Sequence, residues 1–360
     1  DEEILYVKGS GWDLSVIEAE GFAPVRLEIL RHMADFGQLT DTDMVRMQRA
    51  AMTDPYAPNP SVEAILHAII PFKYVDHTHA DAVVTITNTP DGEEKIREIY
   101  GERVLIVPFV MPGFILAKKI YQMTTGIDWS QYDSMVLLHH GVFTFDDDAR
   151  RCYEKMIDTV TRAEHYIESH VGPQKAVSRP DTDNDAEADL LMLANTRKQV
   201  SAARGTAVYA LLDDSAESCS FAGMNDVDTI ATRGPLTPDH IIRTRQSPLI
   251  IEQEIDDDVT AVEDYAAAYR AYFDRNAVEQ QVCLDPAPRW AVWKMHGLVS
   301  FGSTVKETGI ISDISRHTIK AIQLAEKLGG WRVLSEKDLF DMEYWDCLLY
   351  TSDAADDYLT

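Results

Sequence analysis

The apolar positions of the first half of the chain switch repeatedly between a strand period and a helix period. The run Ile4 to Val7 predicts an opening strand. Apolar residues at Leu27, Leu30 and Ala34, with Pro24 near the start, predict a helix over Ala23 to Phe36 that ends at Gly37. Thr40-Asp41 caps a second helix through Met52, and Pro60-Ser61 opens a third, Val62 to Ile70, which stops at Pro71. The β-branched stretch Tyr74 to Thr87 predicts a strand, followed by a helix over Glu93 to Tyr100 and a strand over Val104 to Val110. A helix from Pro112 to about Met123 and a strand from Met135 to His139 come next. A long helix from Asp146 to Ser169, with three acidic residues at its positive end, completes the half. This order predicts an α/β fold with a three-layer αβα arrangement.

From Gly172-Pro173 to Ala186 the chain mixes Gly, Pro, Asp and Asn without an apolar period, which predicts a linker over 173–186. Part of the first half then recurs. Val136-Leu137-Leu138-His139-His140-Gly141-Val142-Phe143-Thr144-Phe145 aligns with Val292-Trp293-Lys294-Met295-His296-Gly297-Leu298-Val299-Ser300-Phe301. Asp76-His77-Thr78-His79 has a weaker echo in Asp239-His240-Ile241-Ile242. Tandem related domains over 1–172 and 187–346 account for both. The chain opens at Asp1 without a methionine and runs at once into a strand, so a preceding segment is expected. Residues 347–360 resemble translated adapter read-through and are set apart from the fold.

The 360 residues suit two domains at roughly 150 residues each. Hydrophobic residues at 45% are enough to build a core. Lys plus Arg is 33 and Asp plus Glu is 60, a net charge of −27. Such a surface repels phosphate backbones and anionic lipid, so neither nucleic acid nor membrane is expected as a partner. No apolar run approaches the ~18 residues of a membrane span and no signal peptide opens the chain, which makes the cytoplasm the expected location. Cys152, Cys219, Cys283 and Cys347 lie far apart and form no CxxC pair, so neither a disulfide frame nor a thiolate zinc site is expected.

The sharpest local feature is His77-x-His79. Strand residues two apart share a face roughly 6.5 Å apart, within reach of one metal ion. His140, before Gly141 and matched by His296 in the repeat, is the favoured third ligand over His139. Three histidines with an open position make a Lewis-acid zinc arrangement; a pair of ordinary surface or core histidines is the plainer explanation of HxH alone. Glu63, in the first turn of the third helix, favours the helix dipole and, beside a metal, could act as an acid/base at a substrate carbon. Ser61 can cap that helix or help to bind an anion. Lys8-Gly9-Ser10-Gly11 is either a tight turn or a phosphate cradle, and Leu14 denies it the GxGxxG dinucleotide pattern.

Together these pieces resemble the class II aldolase/adducin family, whose pattern has a Gly/Ser phosphate loop, a Pro-Ser-x-Glu segment, an HxHAD-like strand and a later HG. Here they stand in that order as Lys8-Gly9-Ser10-Gly11, Pro60-Ser61-Val62-Glu63, His77-Thr78-His79-Ala80-Asp81 and His140-Gly141. The resemblance implies zinc on His77, His79 and His140, Glu63 as the catalytic acid/base, and Ser10, Gly11 and Ser61 around a substrate phosphate. The family's usual loop asparagine is absent, since Trp12-Asp13 follows Gly11. Gly234-Pro235-Leu236-Thr237-Pro238-Asp239-His240 and the run Asp338 to Trp345 are similar to the aldolase half of bifunctional rhamnulose-1-phosphate aldolase/short-chain dehydrogenase proteins. That likeness implies a dehydrogenase domain beyond about residue 350 of the full-length protein, and no redox cofactor in this part.

The implied reaction is reversible retro-aldol cleavage of a phosphorylated sugar, L-rhamnulose 1-phosphate, to dihydroxyacetone phosphate and L-lactaldehyde. No Schiff-base lysine is required. The resemblance also implies a homo-oligomer, a dimer of tandem chains acting as a pseudo-tetramer or a tetramer. In it, a degenerate second domain that keeps His296 but has Ile242 in place of the other strand histidine binds no zinc. A sugar-phosphate 4-epimerase of the same family and an adducin-like interaction module are the alternatives.

Overall fold

A computed structural model describes residues 2–172, 186–252, 258–332 and 334–347. The expected linker, except Ala186, and all but Cys347 of the expected tail lie outside the described residues. Strand β1 (Ile4–Lys8) pairs antiparallel with β2 (Phe22–Arg26), Tyr6 opposite Pro24. The helix expected from Ala23 therefore begins only at α1 (Leu27–Asp35), because Pro24 lies in a two-stranded ladder that tolerates its missing N–H. Helix α2 (Asp41–Ala50) starts where expected, with the Thr40 hydroxyl accepting the Asp43 N–H at 3.1 Å. Helix α3 (Ala64–Ile69) is shorter at its start than the pattern implies.

Tyr74 to Thr87 does not form one strand. It splits into β3 (Tyr74–Thr78) and α4 (Asp81–Thr87), where Val83 through Thr87 are all buried. Burial on every side outweighs the β preference of these side chains. Next come α5 (Gly92–Tyr100), β4 (Val104–Val107), α6 (Phe114–Thr124), β5 (Ser134–Leu137), β6 (Gly141–Asp146) and α7 (Ala149–Val171). Asp146 closes β6 opposite Tyr74, so the last helix starts three residues later than its acidic run suggests.

The second half runs α8 (Ala186–Arg204), β7 (Tyr209–Asp213), α9 (Ala216–Ala222), α10 (Val227–Ile230), α11 (Ile241–Thr244), β8 (Leu249–Ile251), α12 (Asp258–Asn276), β9 (Trp290–Trp293), β10 (Gly297–Gly302), α13 (Val305–Lys327) and α14 (Glu336–Glu343). Two compact units result. One holds the chain up to Thr78, Tyr100–Thr161 and the described residues from Tyr344; the other holds His79–Ile99 and Arg162–Glu343.

In the first unit a four-stranded sheet has the order β3-β6-β5-β4, with only β4 and β5 parallel. One face carries Met135, Leu137, Phe143 and Phe145 against Leu30 and Met33 of α1, Ile65 and Leu66 of α3 and Phe114 of α6. On the other, the Thr144 hydroxyl donates to the Cys152 carbonyl of α7 at 3.1 Å. In the second unit the order is β7-β10-β9-β8, with the same directions throughout. Trp290, Val292 and Leu298 meet Phe221, Ile311 and Ile319 on one face, whereas Trp293, Val299 and Phe301 meet Val200 of α8 and Val262 of α12 on the other. Alternation along the strands thus makes a sheet with helices on both faces, an α/β fold. Among the described residues no helix is long and apolar enough to cross a membrane.

Candidate metal centre

Strand β3 places His77 opposite Phe143 of β6. The imidazole stacks on that ring with centroids 4.0 Å apart, and its Nδ1 lies 3.1 Å from the Val142 carbonyl oxygen. A proton on Nδ1 donated to that carbonyl leaves the lone pair on Nε2, the tautomer of a metal ligand. The strand ends at Thr78, so His79 stands one residue beyond the ladder and not on the strand, contrary to what its spacing from His77 implies.

His140 comes from the turn between β5 and β6, which Leu137 and Gly141 close as a pair. His139 takes a left-handed φ of 60°, and its ring meets Phe109 edge-on with centroids 6.3 Å apart. His140 is buried, and its ring stands edge-on to that of His77 at 5.4 Å. Of the two neighbours it is His140 that joins the cluster.

Glu63 occupies the residue before α3, its N-cap, and not the first turn. Its N–H donates to the Ser61 hydroxyl at 3.2 Å, and its side chain makes no capping hydrogen bond to the helix. One carboxylate oxygen lies 3.2 Å from His77 Nε2 and the other 3.2 Å from His140 Nε2. His67, one turn further along α3, is half-buried with its ring edge-on to Phe143, and desolvation lowers its pKa although Glu63 opposes the shift. It packs and does not join the group.

His77, His79 and His140 each offer a nitrogen within 4.8 Å of the others. Bonds of about 2.0–2.1 Å to one tetrahedral ion put its donors roughly 3.3 Å apart, so the rings close inward to hold it. Three neutral imidazoles and an adjacent carboxylate fit a divalent transition metal by chemistry as well as by spacing. On its other side His79 presents Nδ1 to Asp239 at 3.4 Å. Burial would raise the Asp239 carboxyl, but the charge of His79 and a hydrogen bond to it hold the group well below its ordinary value. The residue-type pattern gave Asp239 no role at His79; its one sequence signal is a carboxylate inside the run Gly234 to His240.

The Gly/Ser loop and the Pro60-Ser61 segment do come together. Gly9 bridges to Pro60, Ser10 N–H donates to the Asn59 carbonyl at 2.9 Å, and Ser61 N–H donates to the Lys8 carbonyl at 3.1 Å. Gly9 is required here, because a Cβ would meet Pro58 at 2.6 Å. The amides of Gly9 and Ser10 are thus directed at carbonyls, leaving hydroxyls as the groups that Ser10 and Ser61 can turn to an anion. Gly11 takes φ of 81°, and burial lowers the pKa of Lys8 against the pull of Asp13.

The second half repeats the hairpin but not the ligands. Met295 matches His139 with φ of 66°, and His296 matches His140. Val142 pairs with Thr78, and its counterpart Leu298 pairs with Asp213, so Leu212 stands at the position of His77 and Asp214 at that of His79. The echo expected at Asp239-His240-Ile241-Ile242 is therefore not the counterpart, since His240 ends a short 3-10 turn before α11. His296 Nε2 lies 3.2 Å from Asp189 of α8, as His140 does from Glu63.

Residues 1–167 match the model of the class II aldolase and adducin N-terminal domain, and residues 187–348 match that of the aldolase class II second domain. The chain is 29% identical over 368 residues to the uncharacterized oxidoreductase YuxG of Bacillus subtilis, covering 97% of this chain and 52% of that protein. It thus spans about half the length of that relative. Among solved structures, the N-terminal class II aldolase domain of a conserved protein from Thermoplasma acidophilum shares 39% identity over 46% of this chain and 75% of that one, with a TM-score of 0.42. YgbL from Klebsiella pneumoniae shares 16% identity over 48% and 75%, with a TM-score of 0.31. With two domain models of one family matched in tandem, and the histidine cluster lying where the first of them matches, the chain belongs to the class II aldolase/adducin family.

Proposed function

We propose that the chain is a zinc-dependent aldolase that cleaves a ketose 1-phosphate, with L-rhamnulose 1-phosphate as its substrate, to dihydroxyacetone phosphate and L-lactaldehyde. The observation that carries this reading is the convergence of His77, His79 and His140 beside the Glu63 carboxylate. Zinc on the three imidazoles would supply Lewis-acid stabilisation of the negative charge that develops on the ketose oxygens as C3–C4 breaks. The protein's own groups account for the remainder. The Val142 carbonyl and the Phe143 ring fix the plane of His77, so its Nε2 needs little reorganisation to bind. Glu63, mostly buried and held at the start of α3, moves the proton at C3. The hydroxyls of Ser10 and Ser61, with Gly11 in the same loop, hold the phosphate and fix the C3–C4 bond relative to Glu63.

Elemental analysis in metal-free buffers, beside a coupled aldehyde assay, tests this. The expected result is about one zinc per chain in the wild type, lost in His79→Ala, with aldehyde released from rhamnulose 1-phosphate. No zinc uptake would overturn the reading. A product inverted at C4, with no aldehyde, would assign the site to an epimerase instead.

A further inference from the structure

We infer that Asp239 is a positioning residue for the metal centre, acting through His79; this rests on the metal-centre reading above. His77 is oriented by its own sheet, through the Val142 carbonyl and the Phe143 ring. His79 lies past the end of β3 and has no place in that ladder. Its Nδ1 faces Asp239 at 3.4 Å, and a carboxylate that accepts the N–H of one ring nitrogen fixes the lone pair on the other.

The surrounding contacts make this a held arrangement. Residues 79–99 group with 162–343 as one compact unit. Asp81, two residues after His79, pairs with His317 of α13. Val84 of α4 lies in one core with Phe221 and Ile311, and the Asn88 side chain donates to the Leu236 carbonyl at 2.8 Å. Leu236 and Thr237, which lead to Asp239, are buried. The segment that follows His79 and the segment that leads to Asp239 are thus tied to each other. The second half of the chain, which lacks the ligands itself, provides the outer support of a ligand in the first.

Zinc affinity measured by competition with a chromophoric chelator tests the proposal on the full chain. Asp239→Asn should weaken zinc binding 10- to 100-fold with an unchanged circular dichroism spectrum. Asp239→Glu, which keeps a carboxylate for the ring N–H, should recover much of that loss. Wild-type affinity in Asp239→Asn would overturn the inference while leaving the metal centre standing. A wild type that takes up no zinc would remove both. Should Asp239→Asn fail to fold, long-range 1H–15N spectra of the zinc-loaded wild type decide the matter: a protonated Nδ1 at His79 supports it, and zinc on Nδ1 overturns it.

Discussion

His140 Nε2 and the Glu63 carboxylate lie 3.2 Å apart although the two residues are 77 positions apart in the chain, one at a hairpin turn and the other at a helix start. The second Glu63 oxygen makes the same approach to His77. A group so placed can serve the reaction without being essential to the metal. Glu63→Gln keeps the shape and removes the base, so we expect zinc content to hold while turnover falls about 10²- to 10⁴-fold. Zinc analysis and the aldehyde assay on one preparation check both halves; a parallel loss of metal would recast Glu63 as a ligand.

The two adjacent histidines of the first hairpin should separate cleanly. His139 has φ of 60° and faces Phe109, whereas His140 belongs to the cluster. His140→Ala should abolish stoichiometric zinc binding. His139→Gly should retain it and stabilise the fold by a few tenths of a kcal/mol to about 1 kcal/mol, since glycine meets no steric penalty at positive φ. Thermal melts of the metal-free proteins measure the second effect.

Gly297, which begins β10, should be the least replaceable residue of the second hairpin. Its φ is 127°, and a Cβ there would lie 2.2 Å from the Asp213 carbonyl oxygen. Backbone strain and a clash with backbone act together, so Gly297→Ala should lower stability by roughly 2–4 kcal/mol in denaturant titrations. Gly309→Ala, in open space on α13, should stabilise slightly and serves as the control.

Acid stability should report on Asp213. Burial raises its carboxyl, but Arg316 and the Ser218 and Ser215 groups more than compensate and hold it at about 2. Because the folded value lies below the ordinary one, the stabilisation is complete above about pH 4 and is lost as pH falls from there through about 2. Asp213→Asn should cost about 1–3 kcal/mol at neutral pH, chiefly through the hydrogen bonds left unmade. The melting temperatures of variant and wild type should converge near pH 2.

Much of the chemistry was legible in order along the chain. The Thr40 cap, the His77-x-His79 pair and the two His-Gly turns act over a few residues, and the structure keeps each of them in the expected neighbourhood. The internal repeat, in which His296 matches His140, added the choice of His140 over His139, which spacing left open. Where the reading failed, the deciding contact was distant. Tyr74 to Thr87 looked uniformly β-prone, yet α4 is a helix because Val84 is buried against Phe221 and Ile311, more than a hundred residues away.

The same distinction separates what the sequence by itself determined from what needed the tertiary structure. Residue types and short spacings determined which side chains could ligate a metal and where helices could start, because caps and turn residues act on their immediate backbone. The register that sets Leu212 in the place of His77, the approach of Glu63 to two rings and the pairing of Asp239 with His79 were decided by the folded chain alone. Those relations depend on strand pairing and burial between segments far apart in sequence, and no local pattern encodes the distance between them.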